Sequence, residues 1–211
     1  MFTGTIKDVG EIKSISTGTG DTSIEIFTAF DASDIEIGSV MSCSGVGLTI
    51  VRHGISGGRS WFAVDASKET LSVTSIPTWT KGTKINLEHS LRMGEEIGGH
   101  IVTGHVDGVI EVTDIKTEGD SIVFTFKAPK MLMPYIAVKG CVSIDGLSLT
   151  VNMVNKDLFK VNITPHMQRT TNFSIMHIGY KANLEIDILA RYIARIFGKS
   201  EDDKWPWQVK L

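Results

Sequence analysis

The chain of 211 residues carries 21 Lys and Arg against 24 Asp and Glu, a net charge of −3, and is 42% hydrophobic. That balance predicts a soluble globular protein with its own core and argues against a nucleic-acid platform, whose phosphate contacts call for positive charge. Two cysteines without a CxxC exclude a disulfide framework and a Cys-rich zinc site, and no apolar run is long enough for a membrane span. The start, Met1 to Thr5, lacks a signal-peptide pattern, so a reducing cytoplasmic setting is expected.

In chain order, Thr3-Gly4-Thr5-Ile6 leads into alternating strands such as Ser23–Phe27, divided by Gly-rich turns such as Thr17–Asp21. Gly45-Val46-Gly47-Leu48-Thr49 reads as a tight turn entering a strand. A strand at Trp61–Asp65 runs into a short helical break with Ser67 as its cap, and Lys84–Glu88 alternates again. The pattern then repeats. Thr3-Gly4-Thr5-Ile6 falls on Thr103-Gly104-His105-Val106, Ser44–Ile50 on Asp145–Val151, and Gly82–Glu88 on Gly179–Glu185. Three blocks in register point to a duplicated domain. Phe159–Ile163 precedes a second helical break, with Thr164 as cap and Pro165 in the first turn. About six strands per half predict two small closed β-barrels, at 1–97 and 98–187. A helix follows at 188–198, with Ile188, Leu189, Tyr192, Ile193, Ile196 and Phe197 on one stripe. The stripe must pack on its own barrels or on neighbouring chains, and its pattern does not choose between them. Residues 199–211 form a polar tail.

Chemistry-bearing residues sit at matched positions with different side chains. His105 answers Thr5, and histidine can move a proton near neutral pH. His100 and His105, at odd spacing on an extended strand, would face opposite ways, so a shared metal is not expected. Glycines in the two tight turns would let the backbone approach a flat ligand, with Thr49, Ser148 and Thr150 hydroxyls beside it. Asp65, Lys68 and Glu69 answer Asn162, Pro165 and His166. Lys139 stands before Gly140 in the second half. Two similar pockets with different side chains suit two related small molecules in two roles. No P-loop, GxGxxG or HExxH is present.

Met1-Phe2-Thr3-Gly4, the Ser-Gly-Val-x-Leu-Thr stretch at 44–49 and Lys68-Glu69-Thr70-Leu71 resemble the riboflavin synthase family. So do Glu-Ile-Gly-Gly-His-x-Val-x-Gly-His-Val at 96–106, Ile-Asp-Gly-x-Ser-Leu-Thr-Val at 144–151 and Asn-x-x-Pro-His at 162–166. The resemblance covers about residues 1–195. It implies an all-β fold of two tandem six-stranded Greek-key barrels plus a C-terminal helix. It also implies a homotrimer joined through those helices, with sites between adjacent chains. The implied reaction is a dismutation of two 6,7-dimethyl-8-ribityllumazine molecules to riboflavin and 5-amino-6-ribitylamino-uracil, without cofactor or metal.

Carried over by motif, the N-terminal pocket would comprise Gly4, Thr5, Ile6, Gly47, Leu48, Thr49, Asp65, Ala66, Ser67, Lys68, Glu69 and Thr70. The C-terminal pocket would comprise Gly104, His105, Val106, Ser148, Leu149, Thr150, Asn162, Ile163, Thr164, Pro165, His166 and Met167. Lys139 would reach the neighbouring chain's ligand. His105 and Ser148 are the expected catalytic residues, with His105 moving the proton of the lumazine C7 methyl. Family members often carry Cys at position 47 and Ser near position 40, where this chain has Gly47 and Val40. That departure implies that water or a ribityl hydroxyl attacks C7. The alternatives are a non-catalytic lumazine- or flavin-binding relative and a flavin oxidoreductase barrel, the latter disfavoured because the chain leaves no room for a nicotinamide domain.

Overall fold

The computed structural model describes residues 1–18 and 20–197. The expected polar tail at 199–211, and Gly198 at the expected helix end, lie outside the described residues.

The first barrel is built from β1 (Asp8–Thr17), β2 (Thr22–Thr28), β3 (Val40–Cys43), β4 (Val46–Ser56), β5 (Arg59–Ala66) and β6 (Lys84–His89). They are hydrogen-bonded in the order β1-β2-β5-β4-β3-β6, and β6 returns to β1. The second barrel repeats this with β7 (Gly108–Glu118), β8 (Ser121–Lys127), β9 (Cys141–Ile144), β10 (Leu147–Asn155), β11 (Leu158–Ile163) and β12 (Lys181–Ile186). All pairings are antiparallel. The expected two-barrel, mostly β architecture is what the chain adopts.

Alternation in sequence becomes alternation in burial: β2 buries Thr22, Ile24, Ile26 and Thr28 and half-exposes the residues between them. The first core gathers Ile12, Ile26, Met41, Phe62 and Leu87. The second is more aromatic, with Phe124, Phe126, Phe159 and Phe173. Matched bulges between Ile12 and Ser14, Ile50 and Arg52, Val112 and Asp114, and Val151 and Met153 bend the strands so that each sheet closes.

The hairpins β3–β4 and β9–β10 turn at Ser44-Gly45 and Asp145-Gly146. Both turns have φ of 45° then 81°, the two left-handed positions of a type I′ turn. Their tips meet between the barrels: a Cβ on Gly45 would lie 2.7 Å from the Gly146 nitrogen. Around them Asn86 donates through Nδ2 to the Asp145 carbonyl at 2.8 Å, and Asn183 does the same to the Ser44 carbonyl at 2.8 Å. These buried amides satisfy the polar backbone that the barrel contact removes from water.

Helix α1 (Lys68–Val73) is capped by Ser67, whose Oγ accepts from the Thr70 amide at 3.2 Å. Helix α2 (Pro165–Thr170) is capped by Thr164 in the same way, from the Met167 amide at 3.4 Å. Helix α3 (Ile188–Phe197) follows β12, and Asp187 caps it through the Leu189 amide. No α3 residue is buried, and Leu189, Tyr192, Ile193, Ile196 and Phe197 are 56–74% exposed. Of the two packings open to this stripe, the barrels of the same chain do not supply it. No described helix is long and apolar enough to cross a membrane.

Candidate functional site

Two short arms, Thr3–Ile6 and Thr103–Val106, precede the first strand of each barrel. Each is anchored by a buried glutamate on its own barrel. Glu88 accepts from the Thr3 amide and hydroxyl, both at 2.7 Å, and from the Gly4 amide at 3.0 Å. Glu185 accepts from the Thr103 amide at 2.6 Å, the Thr103 hydroxyl at 2.7 Å and the Gly104 amide at 2.9 Å. Burial pushes both carboxyls above their ordinary range, and the arm donors pull them back down.

From these anchors the arms cross. The Gly4 carbonyl accepts from the Ser148 amide of the second barrel, and the Gly104 carbonyl accepts from the Gly47 amide of the first, both at 2.9 Å. Ile6 packs against the second core and Val106 against the first. Each arm therefore lies against the opposite barrel from the one the motifs assigned it to, Gly4 and Ile6 against the second barrel and Gly104 and Val106 against the first. The repeat identifies equivalent residues, but only the fold decides which barrel each arm reaches.

The remaining expected members lie on neighbouring strands and helix starts. Ile50 pairs with Val64, so Thr49 and Asp65 follow one residue further along the same two strands. Val151 pairs with Val161, which places Thr150 and Asn162 likewise. Leu48, Ala66, Leu149 and Ile163 are buried in the cores, so only their backbone groups can face a ligand. Thr49, Asp65, Ser67, Lys68 and Glu69 are exposed on the first barrel, as are Thr150, Thr164 and His166 on the second. Thr70, Asn162, Pro165 and Met167 are half-buried. Lys139 is exposed and holds φ at +67°, where its duplicate Gly38 holds +89°. Each donates its amide to an equivalent carbonyl, Val151 and Ile50. A side chain in this left-handed region costs about 1–2 kcal/mol.

The segment 98–107 is not the extended strand expected for the two histidines. Its strand-type pairing among the described residues is the isolated bridge of Phe2 with Val102. His105 is exposed at the arm tip. His100 turns inward, and its Nδ1 lies 2.6 Å from the Ser148 Oγ. Its Nε2 is buried with no partner among the described residues, and burial lowers its pKa, keeping the ring neutral near pH 7. Gly99 makes this approach possible, since a Cβ there would fall 2.3 Å from the Thr3 carbonyl. The pair was hidden in the sequence because His100 and Ser148 are 48 positions apart. Glu88 and Glu185 were visible as the ends of a repeated block but had no assigned partner.

At position 47, a Cβ would meet the Gly104 carbonyl at 3.4 Å, an ordinary contact. Glycine there is not required by space. Cys43 is fully buried, and burial raises its thiol pKa far beyond neutrality, so it cannot supply the thiolate that position 47 lacks. Among the described residues no group of His, Cys, Asp and Glu could hold a metal.

The lumazine binding domain family model matches residues 3–90 and again 103–187. Riboflavin synthase of Brucella abortus (strain 2308) is 46% identical over 93% of this chain and 98% of its own length. The enzymes of Photobacterium phosphoreum and Bacillus subtilis (strain 168) are 38% and 32% identical, over 96% and 97% of this chain and 92% and 93% of their own lengths. Among solved structures, LumP complexed with riboflavin superposes with a TM-score of 0.77 at 30% identity, covering 88% of this chain and 99% of that one. LumP complexed with 6,7-dimethyl-8-(1'-D-ribityl) lumazine gives 0.74 at 28%, covering 88% and 98%.

Proposed function

The chain belongs to the riboflavin synthase family, and from that premise we infer that it catalyses the dismutation of two 6,7-dimethyl-8-ribityllumazine molecules to riboflavin and 5-amino-6-ribitylamino-uracil. The two products together hold every atom of the two substrates, so the reaction balances without an oxidant. Each barrel takes one lumazine. Backbone groups at the capped starts of α1 and α2 read the pyrimidine-dione edge, and the Thr49 and Thr150 hydroxyls hold polar parts of the ligand. Holding two rings together converts a bimolecular encounter into an oriented one.

The observation that carries the mechanism is the Ser148–His100 pair. A neutral imidazole bonded to a hydroxyl can accept a proton through it, and the lumazine C7 methyl is acidic because its anion delocalises into the ring. The proton mover is then Ser148 backed by His100. His105, exposed on the arm beside Gly47, becomes a ligand contact of the first barrel. With glycine at position 47, water or a ribityl hydroxyl adds to C7. The exposed stripe of α3 supports association with further copies of the chain; the family resemblance makes that assembly a cytoplasmic homotrimer with sites between adjacent chains and Lys139 reaching across.

Incubating the pure protein with 6,7-dimethyl-8-ribityllumazine alone tests the reading. Riboflavin formed at half the lumazine consumed is the expected result. Tight binding without turnover would instead make the chain a chromophore carrier, the reading that the likeness to LumP favours.

A further inference from the structure

The two arms are matched up to their last residue and then differ. Lys7 and Asp107 both donate their amides to β-strand carbonyls, Leu87 at 3.0 Å and Leu184 at 2.8 Å. The Lys7 side chain is exposed. The Asp107 side chain is buried, and its Oδ2 accepts from the Ile186 amide at 2.7 Å. Its Oδ1 accepts from Arg191 Nη2 at 2.7 Å, and Arg191 lies on α3. The second arm is therefore tied to the C-terminal helix, and among the described residues the first arm has no equivalent tie.

We propose that Asp107 and Arg191 are positioning residues that fix the second arm, and with it His105, from helix α3. Asp107 follows Val106 directly, so its carboxylate sets where the arm leaves the barrel. The arm runs from there to Gly47 on the first barrel. Helix α3 carries the unburied stripe Leu189, Tyr192, Ile193, Ile196 and Phe197. A copy of the chain packed on that stripe would immobilise α3, and the ion pair would pass that constraint to His105. A buried, charge-assisted hydrogen bond suits this task, because it is directional and costly to break. The arm that serves the first barrel is thus coupled to helix α3, and the arm that serves the second barrel lacks that coupling. The inference rests on the reading that the Gly47 side of the first barrel binds ligand.

The test is Arg191→Ala in the full chain, with amide hydrogen exchange followed at both arms. Exchange at 103–106 should rise by about tenfold or more while 3–6 stays protected, and Arg191→Lys should restore most of the protection. With 6,7-dimethyl-8-ribityllumazine, KM should rise about tenfold with kcat little changed. Equal loosening of both arms, no loosening of either, or no rescue by lysine would overturn the proposal. Should Arg191→Ala fail to fold, Asp107→Asn keeps an acceptor for the Ile186 amide and removes the charge. It must then show the same arm-selective exchange, and its absence overturns the proposal equally. A wild-type chain that makes no riboflavin would defeat the functional reading alone, since the exchange contrast needs no ligand.

Discussion

The Ser148 amide donates to the Gly4 carbonyl at 2.9 Å, and Gly4 sits so close that a Cβ on it would lie 2.5 Å from the Ser148 Cβ. Gly4 also holds φ at +75°. Gly4→Ala should therefore cost about 2–4 kcal/mol, the sum of left-handed strain and overpacking. Gly47→Ala, with 3.4 Å of clearance, should stay within about 1 kcal/mol of wild type. Chemical denaturation of the two variants checks the contrast.

Ser148→Ala and His100→Gln should each lower kcat by a factor on the order of 10²–10⁴ with lumazine affinity nearly kept, as expected for removal of a proton mover. His105→Ala should weaken first-barrel binding and raise KM more than it lowers kcat. Steady-state kinetics with a parallel ligand titration separates the two. A His105→Ala variant with full affinity and a kcat as low as that of Ser148→Ala would return the proton to His105.

Asp145 is fully buried, and burial raises its pKa to about 6. Its carboxylate accepts from the Asn183 amide at 2.8 Å, Asn172 Nδ2 at 2.7 Å and the Tyr180 hydroxyl at 3.2 Å, without full compensation. A folded pKa above the unfolded one means the native state holds the proton more tightly. This group's contribution is complete below about pH 4 and is lost as pH rises through about 6. The loss amounts to about 3 kcal/mol at most. Asp145→Asn should remove that slope, so its stability deficit relative to wild type should shrink between pH 4 and 7. Urea midpoints across that range test the sign. A constant deficit would show that Asp145 does not titrate there.

Ile193 is 56% exposed in the middle of the α3 stripe. If three copies meet on this face, Ile193→Glu places three like charges in an apolar seam. The assembly should fall to monomers in light scattering, while each barrel keeps its fold by circular dichroism. Unchanged mass would place the interface elsewhere.

The barrels and their duplication were legible because period-two strands and Gly-marked turns recur at a near-constant offset. The caps at Ser67 and Thr164 were legible because capping needs a side-chain oxygen at one position only. The arm exchange was not. Thr3-Gly4 and Thr103-Gly104 look alike wherever they pack, and the choice of partner depends on how the turn tips at Gly45 and Gly146 meet. The inward turn of His100 was equally hidden, because it depends on Gly99 lying against Thr3 and Ser148.

Residues 92–99, the link between the halves, are all exposed. A protease cut there would sever the chain without severing the molecule. Each fragment would still have its arm seated on the other, with the Asn86 and Asn183 amides bonded across the joint. Two separately made fragments, 1–95 and 96–211, should therefore complement one another.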